Sequence, residues 1–196
     1  MANEQALTKA LILDTAEQVF RRFGPDKTSV VDIAKVLQVS HGTLYRHFAS
    51  KAALREAVTE RWLNVSIAQP LQEIADRTDV QATERLRIWF DALISAKRKY
   101  ALEDPEMFAM YTAVTLDAAE MIQFHVQGLI QQIAGIIEEG IQAQELKAGS
   151  PGAIANGIFM ATSRFHHPAH ASEWRVQAVD TDFADVWHVL LGGIQL

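Results

Sequence analysis

Apolar residues recur along this chain at steps of three and four, the period of helices that bury one face. In the first run Ile12, Ala16, Phe20 and Phe23 share one side, while Asp14, Glu17, Gln18, Arg21 and Arg22 fill the other. Gly24-Pro25-Asp26 stops it. Val30, Ile33, Ala34 and Leu37 mark a short second helix opened by Ser29, with Asp32 in capping-box spacing. Gln38-Val39-Ser40 leaves room for a tight turn, and Ser40 caps a third helix through Phe48. Ser50 caps a fourth, predicted to run until Pro70 forbids continuation. A further helix is predicted around Val80–Tyr100. Asp104-Pro105 opens the next, and residues 117–120 separate it from a long helix ending near Gln144. Ser150-Pro151 opens a helix through about Phe165, which His166-His167-Pro168 ends or kinks. A last helix is predicted from about Asp182 to Leu191 or beyond. No segment alternates like a strand, so the expected fold class is all-α, with about nine helices.

Residues 28–54 are the informative stretch. Two short helices meet across a three-residue turn, the spacing of a helix-turn-helix. Val30, Ile33, Ala34, Leu37, Val39, Leu44 and Phe48 supply the apolar contacts that hold the two at an angle. The second then projects as a ridge of the width the DNA major groove accepts. Its outer face carries Ser40, His41, Gly42, Thr43, Tyr45, Arg46 and His47, short polar and aromatic groups suited to base edges and phosphates.

The run Ile12–Gly24 is followed by Thr28-Ser29-Val30 and Asp32-Ile33-Ala34. Then come Val39-Ser40, Gly42-Thr43-Leu44-Tyr45, His47-Phe48, Ser50-Lys51 and Leu54. Together these resemble the DNA-binding domain of TetR-family transcriptional regulators over about residues 8–56. The resemblance implies that Thr28 and the start of the second helix hold a phosphate through backbone N–H groups. It places His41, Gly42 and Thr43, after the Ser40 cap, nearest the bases. It gives the Tyr45 hydroxyl and Lys51 to phosphates, and lets Arg46 and His47 reach a phosphate or a base. One position departs from the pattern: the family commonly has glycine where this chain has Gln38. A left-handed backbone there costs on the order of 1 kcal/mol. The implied function is a ligand-responsive regulator, a repressor by family default. It would bind a palindromic operator in double-stranded DNA as a homodimer and be released by a small-molecule effector, in the bacterial cytoplasm. A helical protein-interaction adaptor without a specific operator is the alternative.

Charge agrees with that division. The chain of 196 residues carries a net −6, yet residues 1–61 hold nine basic and seven acidic side chains, leaving −8 on the rest. The reading is a DNA-facing head, residues 1–50, on an acidic body, residues 51–196. The hydrophobic fraction of 49% is enough for a substantial core. Absence of cysteine rules out disulfides and thiolate chemistry. The opening residues lack a signal-peptide pattern, and Met121–Ile137, interrupted by glutamines and a histidine, reads as amphipathic and not as a membrane span.

In the body, the resemblance implies an effector cavity among the middle helices. Candidate lining residues are Trp62, Phe90, Phe108, Tyr111, Phe124, His125 and Met160, each also at home in a core. The acidic body and Met-rich lining favour an uncharged or cationic lipophilic molecule. Small residues Ala153, Gly157 and Ala161, with Val186, Val189, Leu190 and Ile194 on the last helix, suggest a two-helix face that pairs across a dyad. His166 and His170 have metal-ligand spacing, but Pro168 lies between them and no cysteine completes a set, so no metal or cofactor is expected. No nucleophile–base pair or phosphate loop supports an enzyme.

Overall fold

The computed structural model describes residues 7–176 and 178–196. The opening residues 1–6, where the signal-peptide reading falls, lie outside them. The helices are α1 (Lys9–Phe23), α2 (Val30–Val36), α3 (His41–Tyr45), α4 (Lys51–Leu63), α5 (Gln69–Ala75), α6 (Ala82–Glu103), α7 (Pro105–Asp117), α8 (Ala119–Gln142), α9 (Pro151–Ala161) and α10 (Ala178–Ile194). Short 3-10 turns bridge α9 to α10, and an isolated bridge pairs Leu146 with Gln195. No strand occurs among the described residues, so the fold is all-α.

Hydroxyl caps set several of the starts. Thr8 accepts from the Leu11 amide at 3.1 Å, Ser50 from Ala53 at 3.0 Å and Ser150 from Ala153 at 3.5 Å. Two helix ends share one device. After α2, Gln38 donates to the Lys35 carbonyl and Val39 to that of Ala34, at 3.1 and 3.0 Å. After α8, Gln144 donates to Ile141 and Glu145 to Gly140, at 3.1 and 2.8 Å. Both are Schellman ends, which require a left-handed residue and usually recruit glycine. Glutamine holds that position in each, with φ of 55° at Gln38 and 59° at Gln144. Gln38 is therefore strained as its departure from the glycine pattern implied.

The expectation that Pro70 ends the fourth helix is corrected. The helix continues through a π turn, Asn64–Ala68, into α5. Proline in a regular helix strikes the carbonyl four residues back. Here the turn widens by one residue, Gln69 N–H reaching the Asn64 carbonyl, which makes room for the ring. Gln132 of α8 locks the place, donating to the Ala68 carbonyl and accepting from Trp89 Nε1, both at 3.0 Å. Other boundaries shift by a turn or less: α9 stops at Ala161, and α10 begins at Ala178 and reaches Ile194.

The head packs Ile12, Ala16 and Phe20 of α1 with Ile33, Leu44, Leu54 and Val58, all buried. Burial of each such large side chain stabilises by roughly 1.5–3 kcal/mol. Arg61 of α4 grips Asp14 and Glu17 of α1 at 2.5 and 2.6 Å, and Arg21 reaches Asp104, ahead of α7, at 3.0 Å. The head is thus tied to the body at two places: along α4 and at the start of α7. In the body, α6 and α8 carry the central core of Leu86, Trp89, Leu93, Ile133 and Ile137. Buried Arg85 donates to the carbonyls of Ala75 and Arg77 and pairs with Glu139 at 2.6 Å. Glu139 is therefore a structural partner, and α5 is pinned to α8. At Gly140 a Cβ would stand 2.6 Å from Ala82, so α6 and α8 approach there more closely than any side chain permits.

Candidate functional site

The α2–turn–α3 unit follows from its local chemistry. Ser29 and Asp32 form a complete capping box, and the Ser29 hydroxyl and N–H hold the Asp32 carboxyl below the usual carboxylate range. The Schellman turn at Gln38 reverses the chain. Ser40 then caps α3 by accepting from the Thr43 amide at 3.2 Å, with its hydroxyl 2.8 Å from that of Thr43. Leu44 and Phe48 anchor α3 inward. His41, Gly42, Tyr45, Arg46 and His47 face solvent, and Thr43 is half-buried. His41 and Tyr45 meet edge to face at 6.3 Å, and Arg46 donates to the Thr43 hydroxyl at 3.2 Å. The ridge thereby presents three hydroxyls, two imidazoles and one guanidinium, with a bare backbone at Gly42.

Lys51 starts α4 beside this ridge. Its ammonium rests on the Asp26 carbonyl at 3.3 Å, and Arg55 lies 3.4 Å from the exposed Asp26 carboxylate. Thr28 behaves differently from the implied phosphate holder. It is buried, and its hydroxyl and N–H both donate to the Gly24 carbonyl, at 2.8 and 3.2 Å. Its donors are committed to the α1–α2 connection, and we correct that assignment. Lys27, its exposed neighbour, lines a cleft of about 280 Å³ with Phe23, Thr28 and Asp32. Alternation of burial between adjacent turn residues leaves no trace in a helical pattern.

The seven candidate effector residues do not converge on one cavity. Phe90 packs at 5.0 Å from Trp89 and 5.4 Å from Trp187, and is core. Met160 is 60% exposed on the outer side of α9 and lines none of the body's clefts described here. Phe90 stands in packed core and Met160 outside these clefts: helical period tells inside from outside, and does not tell a cavity wall from solid core. Phe108 lines a cleft of about 470 Å³ with Arg98, Leu102, Trp174 and Arg175. Phe124, 79% exposed, and His125 line another of about 320 Å³ between α4, the π turn and α8, with Glu60, Asn64 and Met121. Trp62 and Tyr111 stand behind, their rings 6.0 Å apart.

Sequence reasoning missed Lys97. It sits in phase with Leu86, Phe90, Leu93 and Ile94 on the buried stripe of α6 and is 2% exposed. Its ammonium lies 4.0 Å from the Tyr111 ring centre, and no described carboxylate pairs with it. Burial pushes its pKa down to about 7. Burial, and then the Lys97 charge, push His125 and His166 down to about 3. His166, with the Thr162 hydroxyl and Phe159 carbonyl each 3.3 Å from its Nε2, is a core group. A lysine on an apolar stripe was the available signal.

Of the candidate dimer residues, Ala153, Gly157 and Ala161 are exposed along one side of α9. Val189 is 73% exposed on α10, whereas Val186, Leu190 and Ile194 are partly buried against the protein's own core. Phe183 and Trp187 point inward from α10 onto α6, with the Arg87 guanidinium 4.9 and 5.8 Å from their rings.

Comparison with known proteins finds two family models. The one described as bacterial regulatory proteins, tetR family, matches residues 12–58. The one described as tetracyclin repressor-like, C-terminal domain, matches residues 82–187. The Fatty acid metabolism regulator protein of Bacillus subtilis (strain 168) is 26% identical over 156 residues, 77% of each chain. Other curated relatives are spanned over 52% of their length or less. Among solved structures, SmeT, the repressor of the Stenotrophomonas maltophilia multidrug efflux pump SmeDEF, superposes with a TM-score of 0.67. It does so at 20% identity, over 97% of this chain and 92% of that one. The Bacillus subtilis transcriptional regulator FadR, in complex with stearoyl-CoA, superposes with a TM-score of 0.62 at 22% identity, over 95% and 99%.

Proposed function

This chain belongs to the TetR family of bacterial regulatory proteins, DNA-binding regulators of transcription and not enzymes, and on that footing we propose that it is an effector-released repressor acting as a homodimer on a two-fold operator. The observation that carries the reading is the connection of the exposed α3 ridge to the body. The ridge is held by α1 and α4, and α1 and α4 are held by the body at Arg21–Asp104 and at Trp62. In this reading His41, Gly42 and Thr43 read bases. Ser40, Tyr45, Arg46, His47 and Lys51 set the register on phosphates and base edges. Residues 1–50 form the head and 51–196 the body, with α4 shared between them. The exposed side of α9, Ala153, Gly157 and Ala161, with Val189 of α10, pairs with a second copy.

An effector among α4, α6, α7 and α8 touches the elements that orient the head. A small tilt of α4 changes the separation of two recognition helices, which B-DNA demands at about 34–36 Å. The effector shifts this equilibrium only by its differential affinity for the two forms, typically 1–3 kcal/mol. FadR was solved with stearoyl-CoA bound, which supports a small-molecule effector here. No described helix is long and apolar enough to cross a membrane, and the proposed place of action is the bacterial cytoplasm. Selection of bound duplexes from a random pool tests the reading. An inverted repeat retained by two protomers is expected. Uniform, salt-sensitive retention of all sequences would reduce the protein to a non-specific binder and overturn it.

A further inference from the structure

Lys97 places a positive group in the core with nothing to neutralise it. An ammonium taken from water is costly unless paired. Three buried polar atoms on the neighbouring helices lack hydrogen-bond partners: the Trp62 Nε1, the Thr59 hydroxyl and the His125 Nε2. Thr59 and Trp62 are one turn apart on α4. Tyr111 of α7 links Trp62 to Lys97, with ring centres 6.0 Å apart and the Lys97 ammonium 4.0 Å above the Tyr111 ring. His125 belongs to α8 and lines the cleft of about 320 Å³ that opens beside the π turn. Native interiors leave few such atoms unsatisfied, and here they lie on α4 and α8, either side of the Lys97–Tyr111 contact between α6 and α7.

We propose that this cluster is the polar end of the effector site, and that the effector is a small anionic amphiphile whose carboxylate or equivalent acceptor is taken by Lys97 with Trp62, Thr59 and His125. The proposal rests on the effector-released reading above and reverses the sequence-based preference for an uncharged or cationic molecule. The chemistry is complementary. An ammonium and an indole N–H are donors only, and neutral His125 and the Thr59 hydroxyl each have one proton to give. An acceptor group answers all of them, whereas a cation answers none. Met121 and Phe124 at the cleft give an apolar body a wall. Glu60, the carboxylate on the same lining, faces solvent, so the anionic end enters first and the apolar end lies toward the mouth.

The test uses the full chain with octanoate, its neutral isostere octanamide, and octyltrimethylammonium, each titrated by calorimetry. Octanoate is expected to bind at least tenfold tighter than either, and Lys97→Met to abolish the difference while still melting cooperatively. Trp62→Phe, which keeps the ring stack and removes one donor, is expected to weaken octanoate several-fold and leave octanamide nearly unchanged. The titratable groups facing Lys97 are Tyr111 from α7, His125 from α8, and His166 and His167 beyond α9. Both His125 and His166 are neutral above pH 6, so octanoate affinity is expected to fall at least tenfold between pH 6 and pH 9 as Lys97 loses its proton. No saturable octanoate binding, equal binding of octanoate and octanamide, or unchanged binding by Lys97→Met overturns the proposal. Duplex selection on the same protein keeps the two failures apart. A selected operator without octanoate binding sinks only the ligand class, and octanoate binding without an operator sinks only the repressor reading.

Discussion

Replacing Gln38 by glycine is expected to make the protein more stable although it deletes a side chain. Gln38 sits at φ 55° and Gln144 at φ 59°, in Schellman ends whose hydrogen bonds are complete. Both are exposed, so truncation costs little packing. A residue with a Cβ in the left-handed region loses roughly 1–2 kcal/mol relative to its relaxed backbone. Glycine escapes that penalty but gives the unfolded chain more freedom, which takes back about 0.4–1 kcal/mol. The expected net gain is about 0.5–1 kcal/mol for Gln38→Gly, and the same for Gln144→Gly. The two sites lie in the head and at the far end of α8, share no partner and should add. The double variant then gains about 1–2 kcal/mol, or roughly 2–8 °C in Tm for a domain of this size. Alanine is the control, because it removes the same side chain and keeps the Cβ. Reversible urea unfolding of wild type, both glycine variants, both alanine variants and the double glycine variant measures the effect. If alanine stabilises as much as glycine, backbone strain is not the cause. If neither glycine variant gains, the left-handed turns are not the strained conformations described here.

Lys51→Ala is expected to weaken binding to every duplex alike and to lower the slope of log affinity against log salt by about one; a loss confined to one operator would make Lys51 a base reader. Gly157→Arg places a long cation on the exposed side of α9, where Cβ space is open. It should yield a folded monomer in sedimentation, and an unchanged dimer would move the interface elsewhere. Gly140→Ala drives a methyl to 2.6 Å from Ala82 and 2.7 Å from Leu146, so a loss of roughly 1–3 kcal/mol is expected in urea unfolding, and a neutral result would show that the α6–α8 contact yields. Stability should fall as the pH is lowered from about 6.5 toward 3, since His125 and His166 are each held near 3 while an unfolded histidine titrates near 6.5. The unfolded chain then binds more protons across that window, worth roughly 1–2 kcal/mol per histidine at pH 5. His125→Leu should flatten the histidine part of the slope by about half, and an identical slope would mean that His125 is not held neutral by burial.

Local chemistry alone determined most of the head. Ser29 with Asp32, the Ser40 cap and the apolar set Val30, Ile33, Ala34, Leu44 and Phe48 specify two short helices and a turn. The information lies within a few residues of each element, where capping and period act. The strain at Gln38 was implied by the family resemblance, which has glycine at that position. Where the rule was local but the neighbours were not, only the tertiary structure decided. Pro70 ends an isolated helix, yet Gln132, 64 residues beyond Ala68, and Trp89, which donates to it, anchor a π turn that lets the helix pass. Thr28 and Lys27 are adjacent and look equally polar, and folding buries one and exposes the other. Phe90 and Phe108 have the same chemistry; packing puts the first in solid core and the second beside a cleft. Lys97 is the clearest case. Its phase on α6 predicts burial, but the lack of a carboxylate partner and the Tyr111 ring 4.0 Å from its ammonium depend on how the helices cross. Helical period assigns a residue to the inside. What it meets there is set by contacts between residues far apart in sequence, which no local pattern records.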